Sequence, residues 1–429
     1  MKTYQYNKLS ELEIVNLCQR QSIDFEPLQK QLMDIRSNIK LNGDKALFEY
    51  TQSFDRVRLD SLLVSEQEFK SAEKSISVEF KNALNIAIQN VKKFHLEQID
   101  NTAKIETTDG VFCWREPRAI DKVGLYIPGG SAPLFSTILM TVIPAQIAGC
   151  KEIVICTPPQ KDGSIAPETL YAAASLNIQS VYKLGGAQAV FALSEGTESI
   201  PKVDKIFGPG NQWVAASKEM VSNNVAIDLP AGPSEVLIIA NSSSNASFVA
   251  SDLLSQAEHG IDSEVTLVTN DENKAKQVSI EIQRQLTDLP RQNIVKKTLD
   301  NSSILITDNI SDAIDFSNRY APEHLILAFD DFEKWLPKIR NAGSVFCGSL
   351  SCESFGDYAS GTNHVLPTSG FARNYSGISV DSFVKKITFQ HITKQGCLNL
   401  GPVVETLAKS EQLHAHKNAV SIRLEALSA

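Results

Sequence analysis

The fold of this chain is restricted most by an alternation of apolar runs and amphipathic stretches that begins near residue 122. Apolar runs at 123–127 and 152–156 end at turn residues, and each precedes a stretch with apolar residues at helical spacing. Strands that are apolar along their whole length are typical of parallel sheets with helices on both faces. Residues 122–235 are therefore predicted to form one doubly wound α/β unit.

A second alternation of the same kind follows this unit. It consists of predicted strands at 264–268, 304–307 and 344–346 and predicted helices at 273–286 and 312–320. Outside both units, apolar residues three and four apart predict helices at 28–50 and 67–97, and residues 390–427 are also predicted to be largely helical. The sequence thus predicts an α/β fold with two incomplete doubly wound units and short helical segments at the two ends.

The composition excludes several classes of protein and of partner. With 42% apolar and 21% charged residues, the 429-residue chain resembles folded globular proteins rather than disordered or collagen-like ones. Its net charge of −9 disfavours binding to a nucleic-acid backbone. The first residues lack the apolar core of a signal peptide, and the longest apolar run, 134–148, is shorter than the ~20 residues that span a bilayer. We therefore expect a cytoplasmic protein that binds neither nucleic acid nor membranes.

Glycines follow three predicted strands of the 122–235 unit. They are Gly129-Gly130, Gly185-Gly186, and Gly208 with Gly210. Doubly wound sheets bind ligands at the carboxyl ends of their strands, and the helices that begin there offer free N–H groups to anions. A nucleotide site is one explanation of these glycines. Tight turns between strand and helix, for which glycine is well suited, are the other.

Gln256 and His259 lie three residues apart on a predicted helix that Gly260 would end. On a helix they would share a face, and their side-chain oxygen and nitrogen suit a borderline cation such as zinc if further ligands join them. Asp357, His414 and His416 are the candidates for those further ligands. The alternative explanation is a polar helix end that faces water.

Two further segments carry groups that can move protons. Glu323 and His324 form an adjacent acid–base pair; such a histidine can take a proton from an alcohol, and such a carboxylate can activate water. Residues 356–364 form a loop dense in turn-forming and hydrogen-bonding side chains. A solvated surface loop is the alternative for both segments. His414 and His416 are two residues apart on a predicted helix and face different sides, so at most one is expected to serve a given site.

These segments together resemble the histidinol dehydrogenase family over nearly the whole chain, residues 20–425. Seven motifs carry the resemblance: VGLYIPGG at 123–130, GGAQA at 185–189, KIFGPGN at 205–211, AGPSEV at 231–236, LLSQAEHG at 253–260, PEHL at 322–325 and GDYASGTNH at 356–364. Residues 411–416 match as well. Ala321 stands where a glycine is common in the family, which leaves the neighbouring acid–base pair intact.

The resemblance implies an enzyme at the end of histidine biosynthesis. It would oxidise L-histidinol through L-histidinal to L-histidine, a four-electron oxidation that reduces two NAD molecules and consumes one water. One zinc ion per subunit is implied, with the ligands Gln256, His259, Asp357 and His416. The imidazole and amine of the substrate would complete the zinc coordination, so that zinc mainly positions the substrate.

The resemblance also implies which residues contact the substrate and NAD. Besides the zinc ligands, the substrate contacts would be Ser234, His324 and Glu411, and the NAD contacts would be Tyr126, Gln188 and Asn211. The NAD contacts agree with a ligand site at the strand ends of the 122–235 unit. Hydride transfer needs a base of near-neutral pKa for the alcohol proton, which favours His324, and the second oxidation needs an activated water, which favours Glu323.

A homodimer is also implied, in which the C-terminal segment crosses over and brings Glu411 and His416 to the partner's site. The predicted domains are an N-terminal helical segment (1–20), a discontinuous Rossmann-like domain with most zinc and catalytic residues (21–121 and 236–375), an inserted Rossmann-like domain that contacts NAD (122–235), and a C-terminal helical segment (376–429). The two end segments are expected to serve mainly the dimer.

Two other classes of protein stay open from the residues alone. A zinc-dependent hydrolase of a small imidazole or amino substrate would use the same ligand set, with Glu323 as general base. It does not explain a doubly wound unit with glycines at its strand ends. A non-catalytic binding or regulatory protein would require a lost site residue, and all the matched positions are filled.

Overall fold

The computed structural model describes residues 1–20, 26–99, 102–129, 133–229 and 232–428. Gly130 and Ala231, each a member of one of the motifs above, lie outside these residues. The described strands are β1 (Lys2–Gln5), β2 (Ile105–Thr108), β3 (Val111–Ala119), β4 (Lys122–Tyr126), β5 (Glu152–Thr157), β6 (Val181–Lys183), β7 (Lys205–Phe207), β8 (Ala226–Ile227), β9 (Glu235–Ala240), β10 (Glu264–Thr269), β11 (Ser303–Ile306), β12 (His324–Leu327), β13 (Ser344–Cys347) and β14 (Val384–Ile392).

The described helices surround these strands. They are α1 (Glu11–Cys18), α2 (Glu26–Tyr50), α3 (Glu66–Ser75), α4 (Val78–Leu96), α5 (Ser136–Ala148), α6 (Pro167–Ser175), α7 (Gly186–Glu195), α8 (Gln212–Val221), α9 (Ala246–Ala257), α10 (Glu272–Leu286), α11 (Gln292–Asn301), α12 (Ile310–Tyr320), α13 (Glu353–Tyr358), α14 (Lys394–Ser410) and α15 (His414–Ser428). Within the described ranges, none of the helices combines the length and the apolar character needed to cross a membrane.

The 122–235 unit contains a five-stranded parallel sheet in the order β6-β5-β4-β7-β8. Successive residues of β4 point to opposite faces, so that Leu125 packs with α4, α5 and α6 while Tyr126 packs with α2, α7 and α8. Helices therefore cover both faces of this sheet, which confirms the predicted doubly wound unit and explains why its strands are apolar throughout.

The second unit is a six-stranded sheet in the order β1-β11-β10-β9-β12-β13, and all of its strands are parallel. Val236 and Ile238 of β9 pack with α9, α10 and α11 on one face. Leu237 and Ile239 pack with α1 and α12 on the other. The register places Glu235 opposite Glu264 and Val236 opposite His324, so the first residues of β9, β10 and β12 lie side by side.

Two strands lie in end segments that the sequence predicts to be helical. β1 pairs with β11 at the edge of the six-stranded sheet, with Lys2 opposite Ser303. β14 pairs antiparallel with β3, and β2 completes a three-stranded sheet. The partners of both strands are distant in sequence, and a short strand without a local partner has no periodicity that distinguishes it.

The packing of α2, α3 and α4 also differs from the predicted grouping of residues 21–121 with 236–375. Leu32 and Ile39 of α2 share a hydrophobic cluster with α7, and Leu84 and Val91 of α4 share one with α5. These helices thus pack on the five-stranded sheet. An amphipathic pattern shows which face of a helix is buried but not which sheet it is buried against.

Candidate active site

The acid–base pair lies at the amino edge of the six-stranded sheet, where its strands begin. His324 is the first residue of β12, and Glu323 precedes it. Both side chains are buried, at 4 and 5% exposure. The pair follows the end of α12, where Ala321 adopts a left-handed conformation with φ of 53° and Pro322 then leads the chain into the strand. This turn sets the pair beside Glu235 on the neighbouring strand β9.

His324 is oriented by a backbone contact on one side of its ring. Its Nδ1 lies 3.1 Å from the carbonyl oxygen of Glu235, and because a carbonyl can only accept, Nδ1 carries the proton in that bond. The Nε2 atom is buried and has no hydrogen-bond partner among the described residues. It lies 3.9 Å from a carboxylate oxygen of Asp357. In the neutral ring, Nε2 therefore carries the free lone pair.

The carboxylate of Glu323 is held by the same neighbouring strand. Its Oε2 accepts a hydrogen bond from the backbone N–H of Glu235 at 2.8 Å and lies 3.5 Å from Nδ1 of His324. The adjacent acid and base therefore share one support, the main chain at the first residue of β9.

Negative charge dominates this part of the molecule. Burial lowers the pKa of His324, but the carboxylates of Glu323, Glu353 and Asp357 outweigh burial and raise it above its usual value. Burial raises the pKa of Glu353, against the attraction of His324, and the carboxylates of Asp357 and Glu323 raise it further. Several buried acids around one histidine form an environment that favours a bound cation.

Three side chains at this edge bring metal-binding atoms together. A ring nitrogen of His259 and carboxylate oxygens of Glu353 and Asp357 all lie within 4.8 Å of one another. Two of the elements differ from prediction. α9 ends at Ala257, so that His259 lies in the turn beyond the helix. Asp357 belongs to α13 rather than to a loop.

Gln256 adjoins this cluster from the last turn of α9. Its amide forms hydrogen bonds on both sides when the nitrogen faces Glu353. The nitrogen then donates to the two carboxylate oxygens of Glu353 at 2.5 and 2.9 Å, and the oxygen accepts from the N–H of Glu235 at 3.2 Å. Both Gln256 and Glu353 are 1% exposed. In the opposite orientation the amide oxygen faces the Glu353 carboxyl group, an arrangement that a bound cation would satisfy.

Glu353 is a site residue that the sequence-based selection missed. It lies four residues before Asp357, so the two carboxylates share a face of α13. The predicted loop begins at Gly356, and the four-residue spacing of the two acids is the signal that identifies the earlier one. Glu235 was also passed over, although it lies in the 231–236 motif beside Ser234.

Other predicted site residues lie around or away from this cluster. Ser234 is half-buried and directly precedes Glu235. Nδ1 of His364 lies 2.9 Å from the carbonyl oxygen of Asp357, which places this histidine beside the cluster. Glu411 and His416 are exposed, and neither belongs to the metal-binding group found among the described residues. A single chain therefore does not bring these two to the site.

The predicted NAD contacts lie at the carboxyl edge of the five-stranded sheet. Tyr126 is the last residue of β4, and its hydroxyl accepts a hydrogen bond from the N–H of Gly186, the first residue of α7, at 3.1 Å. Gln188 follows in the first turn of α7 and is buried. Asn211 caps α8, accepting from the N–H groups of Trp213 and Val214 at 3.1 and 3.2 Å. Two helix N-termini thus meet one strand end, an arrangement suited to a dinucleotide phosphate.

Gly208 shows how closely the backbone is packed at this edge. Its φ is 113°, and a Cβ atom there would lie 2.0 Å from the carbonyl oxygen of Tyr126. Only glycine avoids both the strained backbone and the clash. The ion pair of Lys218 and Asp228 holds this turn: Lys218 donates to the Gly208 carbonyl at 3.0 Å, and Asp228 accepts from the Gly208 N–H at 2.8 Å.

The chain is similar to known proteins along almost its whole length. The family model for histidinol dehydrogenase matches residues 18–424. The histidinol dehydrogenases of Bacteroides thetaiotaomicron and Haemophilus influenzae are each 50% identical to it, over 428 and 430 residues that cover 100% of this chain and of the relative. The crystal structure of histidinol dehydrogenase from Elizabethkingia anophelis superposes with a TM-score of 0.98 at 53% identity, covering 100% of this chain and 99% of that one.

Proposed function

The chain belongs to the histidinol dehydrogenase family of NAD-dependent oxidoreductases, and we propose from this premise how its residues perform the reaction. The reaction is the oxidation of L-histidinol through L-histidinal to L-histidine, in which two NAD molecules are reduced and one water is consumed. The family match favours this dehydrogenase over the zinc hydrolase. A biosynthetic, NAD-dependent role favours the cytoplasm as the compartment.

The orientation of His324 is the observation that carries the proposed mechanism. A bound zinc ion would offset the carboxylates that raise the pKa of His324 and so favour the neutral ring. In that ring the carbonyl of Glu235 holds the Nδ1 proton, and the lone pair on Nε2 is free to accept the hydroxyl proton of the alcohol as hydride leaves. Burial removes competing water from Nε2. As water adds to the aldehyde, Nε2 would return this proton to the former carbonyl oxygen, and it would then take a hydroxyl proton of the hydrated aldehyde in the second oxidation.

Glu323 would activate the water that the second oxidation consumes. Its carboxylate is fixed by the N–H of Glu235, a hydrogen bond that leaves lone pairs for a proton from water. Glu323 and His324 thus receive separate protons although they are adjacent in sequence. The hydride itself passes to NAD, which supplies the redox chemistry.

We propose that Gln256, His259, Asp357 and, in a homodimer, the partner subunit's His416 hold a zinc ion. The fit is supported by the clustered donor atoms of His259 and Asp357 and by the excess of buried carboxylate around His324. When bound, zinc would bind the imidazole and amine of histidinol and offset the negative charge beside His324. To hold zinc, Gln256 would turn its amide oxygen toward the carboxylates of this cluster, the opposite of the orientation in which its nitrogen donates to Glu353.

The remaining proposed contacts involve a second subunit, for the substrate, and the five-stranded sheet, for NAD. Ser234 is adjacent to the reactive pair and would contact the substrate, together with the partner subunit's Glu411. The exposure of residues 411–416 on a single chain supports their use in a dimer. Tyr126, Gln188 and Asn211 would contact NAD at the carboxyl edge of the five-stranded sheet.

Purified protein with histidinol, NAD and zinc tests the proposal. Near-ultraviolet absorbance should show two NADH formed per histidinol, and chromatography should show histidine as the product. A chelator should abolish the reaction, and zinc should restore it. One NADH per histidinol with histidinal accumulating would contradict the four-electron reaction. Absence of NADH together with hydrolysis of an imidazole amide or ester would support the hydrolase instead.

A further inference from the structure

Behind the acid–base pair lies a buried ion pair between Arg20 and Glu235. The guanidinium donates two hydrogen bonds to the Glu235 carboxylate, from Nε at 2.7 Å and from Nη2 at 3.1 Å. The two side chains are 7 and 2% exposed. Such a two-point bond fixes both the position and the plane of the carboxylate.

Arg20 is itself held from two other directions. Its Nη1 donates to the carbonyl of Cys18 at 2.6 Å, and its Cζ atom lies 3.3 Å from the centre of the Tyr320 ring. The hydroxyl of Tyr320 donates to Glu264 at 3.0 Å. The guanidinium is therefore stacked on an aromatic ring and bonded at its edges, a geometry that a flexible lysine would not reproduce.

Glu235 contacts the reactive pair at three points, and the contact that Arg20 fixes directly is the one made by the Glu235 carboxylate. Its carboxylate accepts from the N–H of Glu323 at 3.2 Å, and its own N–H donates to the Glu323 carboxylate at 2.8 Å. Its carbonyl accepts from Nδ1 of His324 at 3.1 Å. Glu235 thus orients Glu323 and His324 and determines which ring nitrogen of His324 carries the proton.

A buried ion pair is a poor source of stability, because removing two charges from water costs about as much as their attraction returns. Arg20 comes from the N-terminal segment, more than 200 residues from its partner in the chain. An ion pair of this kind is better explained by the geometry that it imposes than by stabilisation of the fold.

We propose that Arg20 is a positioning residue that acts through Glu235 to hold Glu323 and His324 in their reactive arrangement. This inference rests on the proposed function, because it concerns the same acid–base pair. Arg20 touches neither reactive side chain directly. Its removal should therefore lower turnover in both oxidations while leaving zinc content and KM for histidinol nearly unchanged.

The test compares Arg20→Met, Arg20→Lys and the double variant Arg20→Met/Glu235→Gln with wild type. Turnover is measured with histidinol and, separately, with histidinal, alongside KM, zinc content and thermal unfolding. Displacement of reacting groups by about 1 Å can cost about 100-fold, so we expect kcat to fall by about 10–100-fold with both substrates in Arg20→Met. Arg20→Lys should recover part of this loss. The double variant leaves no unpaired buried charge, so it should fold like wild type but keep the low kcat.

Arg36→Met is the matched control. Arg36 pairs with Glu195 through a similar, partly buried ion pair that does not contact the acid–base pair. Its loss should lower the unfolding temperature and leave kcat unchanged. Wild-type kcat in folded Arg20→Met or in the double variant, or an equal kcat loss in Arg36→Met, would overturn the positioning role. Wild-type protein that forms no NADH from histidinol would instead overturn the proposed function, and this inference with it.

Discussion

The two parallel sheets of this molecule use opposite edges for their candidate sites. In the five-stranded sheet, Tyr126 ends β4 and the turn at Gly208 follows β7, so the proposed NAD contacts lie at the carboxyl edge. In the six-stranded sheet, Glu235 and His324 begin their strands, so the acid–base pair lies at the amino edge. Similar architectures therefore do not imply equivalent sites.

The difference follows from the direction of the helices. At the carboxyl edge, α7 and α8 begin, and the positive ends of their helix dipoles favour the phosphates of a dinucleotide. At the amino edge, α9 ends beside Gln256 with its carbonyl groups outward, and buried carboxylates add negative charge. That edge favours cations. An enzyme that uses both an anionic cofactor and a cation can therefore bind the cofactor at a carboxyl edge and the cation at an amino edge.

His324→Ala should have the largest effect on turnover, and the effect should be confined to the site at the amino edge. Loss of a general base typically lowers turnover about 10²–10⁴-fold, whereas KM for NAD should stay within about twofold. Steady-state rates of NADH formation measure both constants. A change in KM for NAD as large as the loss in kcat would show that the two edges do not act separately.

Glu323→Gln changes a residue of the amino edge and should slow the second oxidation more than the first. An amide cannot take a proton from water, so oxidation of histidinal should fall about 100-fold. Oxidation of histidinol should fall less, because His324 remains. Single-turnover measurements started from each substrate separate the steps. Equal losses in both would mean that Glu323 does not act on water.

His416→Ala should lower bound zinc, and His414→Ala should not. The two are close in sequence and both exposed on one chain, so they form a matched pair. Loss of a residue that merely supports a metal ligand already weakens binding about 10–100-fold, and loss of a ligand should weaken it at least as much. Zinc analysis after dialysis measures this. Equal zinc in both variants would place the fourth ligand elsewhere, with Glu353 the first candidate.

Asn211→Ala should weaken NAD binding at the carboxyl edge and leave the site at the amino edge unchanged. Loss of this N-cap should cost about 1 kcal/mol of stability, and KM for NAD should rise without a change in kcat at saturating NAD. Asp271→Ala is the control, since Asp271 caps α10 through the same pair of backbone contacts. It should lose similar stability in denaturant unfolding with no change in KM. A KM rise in both variants would mean that cap loss alone explains the effect.

Ala321→Gly should have the smallest effect. Ala321 has a φ of 53°, a conformation that costs an alanine about 1 kcal/mol and costs glycine little. The substitution should therefore raise the free energy of unfolding by up to about 1 kcal/mol, with kcat unchanged. Thermal unfolding and NADH formation measure the two quantities. A loss of kcat would show that the rigidity of this turn, and not only its shape, supports the acid–base pair.

Sequence patterns were most informative where structure is local. Most strands and helices of both doubly wound units were predicted from periodicity, because burial on both faces requires continuous apolar strands. The strands β8, β9 and β12 and the helix α11 were not predicted. Ala321 stands where the family resemblance implies a glycine, and its left-handed conformation is one that glycine adopts without strain. The β1 and β14 strands were not predicted, since each depends on a partner distant in the chain.

The fold class, the family and the chemical types at the site can be read from residue patterns: an adjacent acid and base, a glutamine and histidine near one helix end, and glycines after strands. The placement of the acid–base pair at an amino edge, the proximity of Glu353 to Gln256 and the position of Arg20 beside Glu235 follow only from the assembled fold. The reason is physical. Backbone preference and amphipathic periodicity act over a few residues, whereas buried charges meet their partners only when the sheets are assembled.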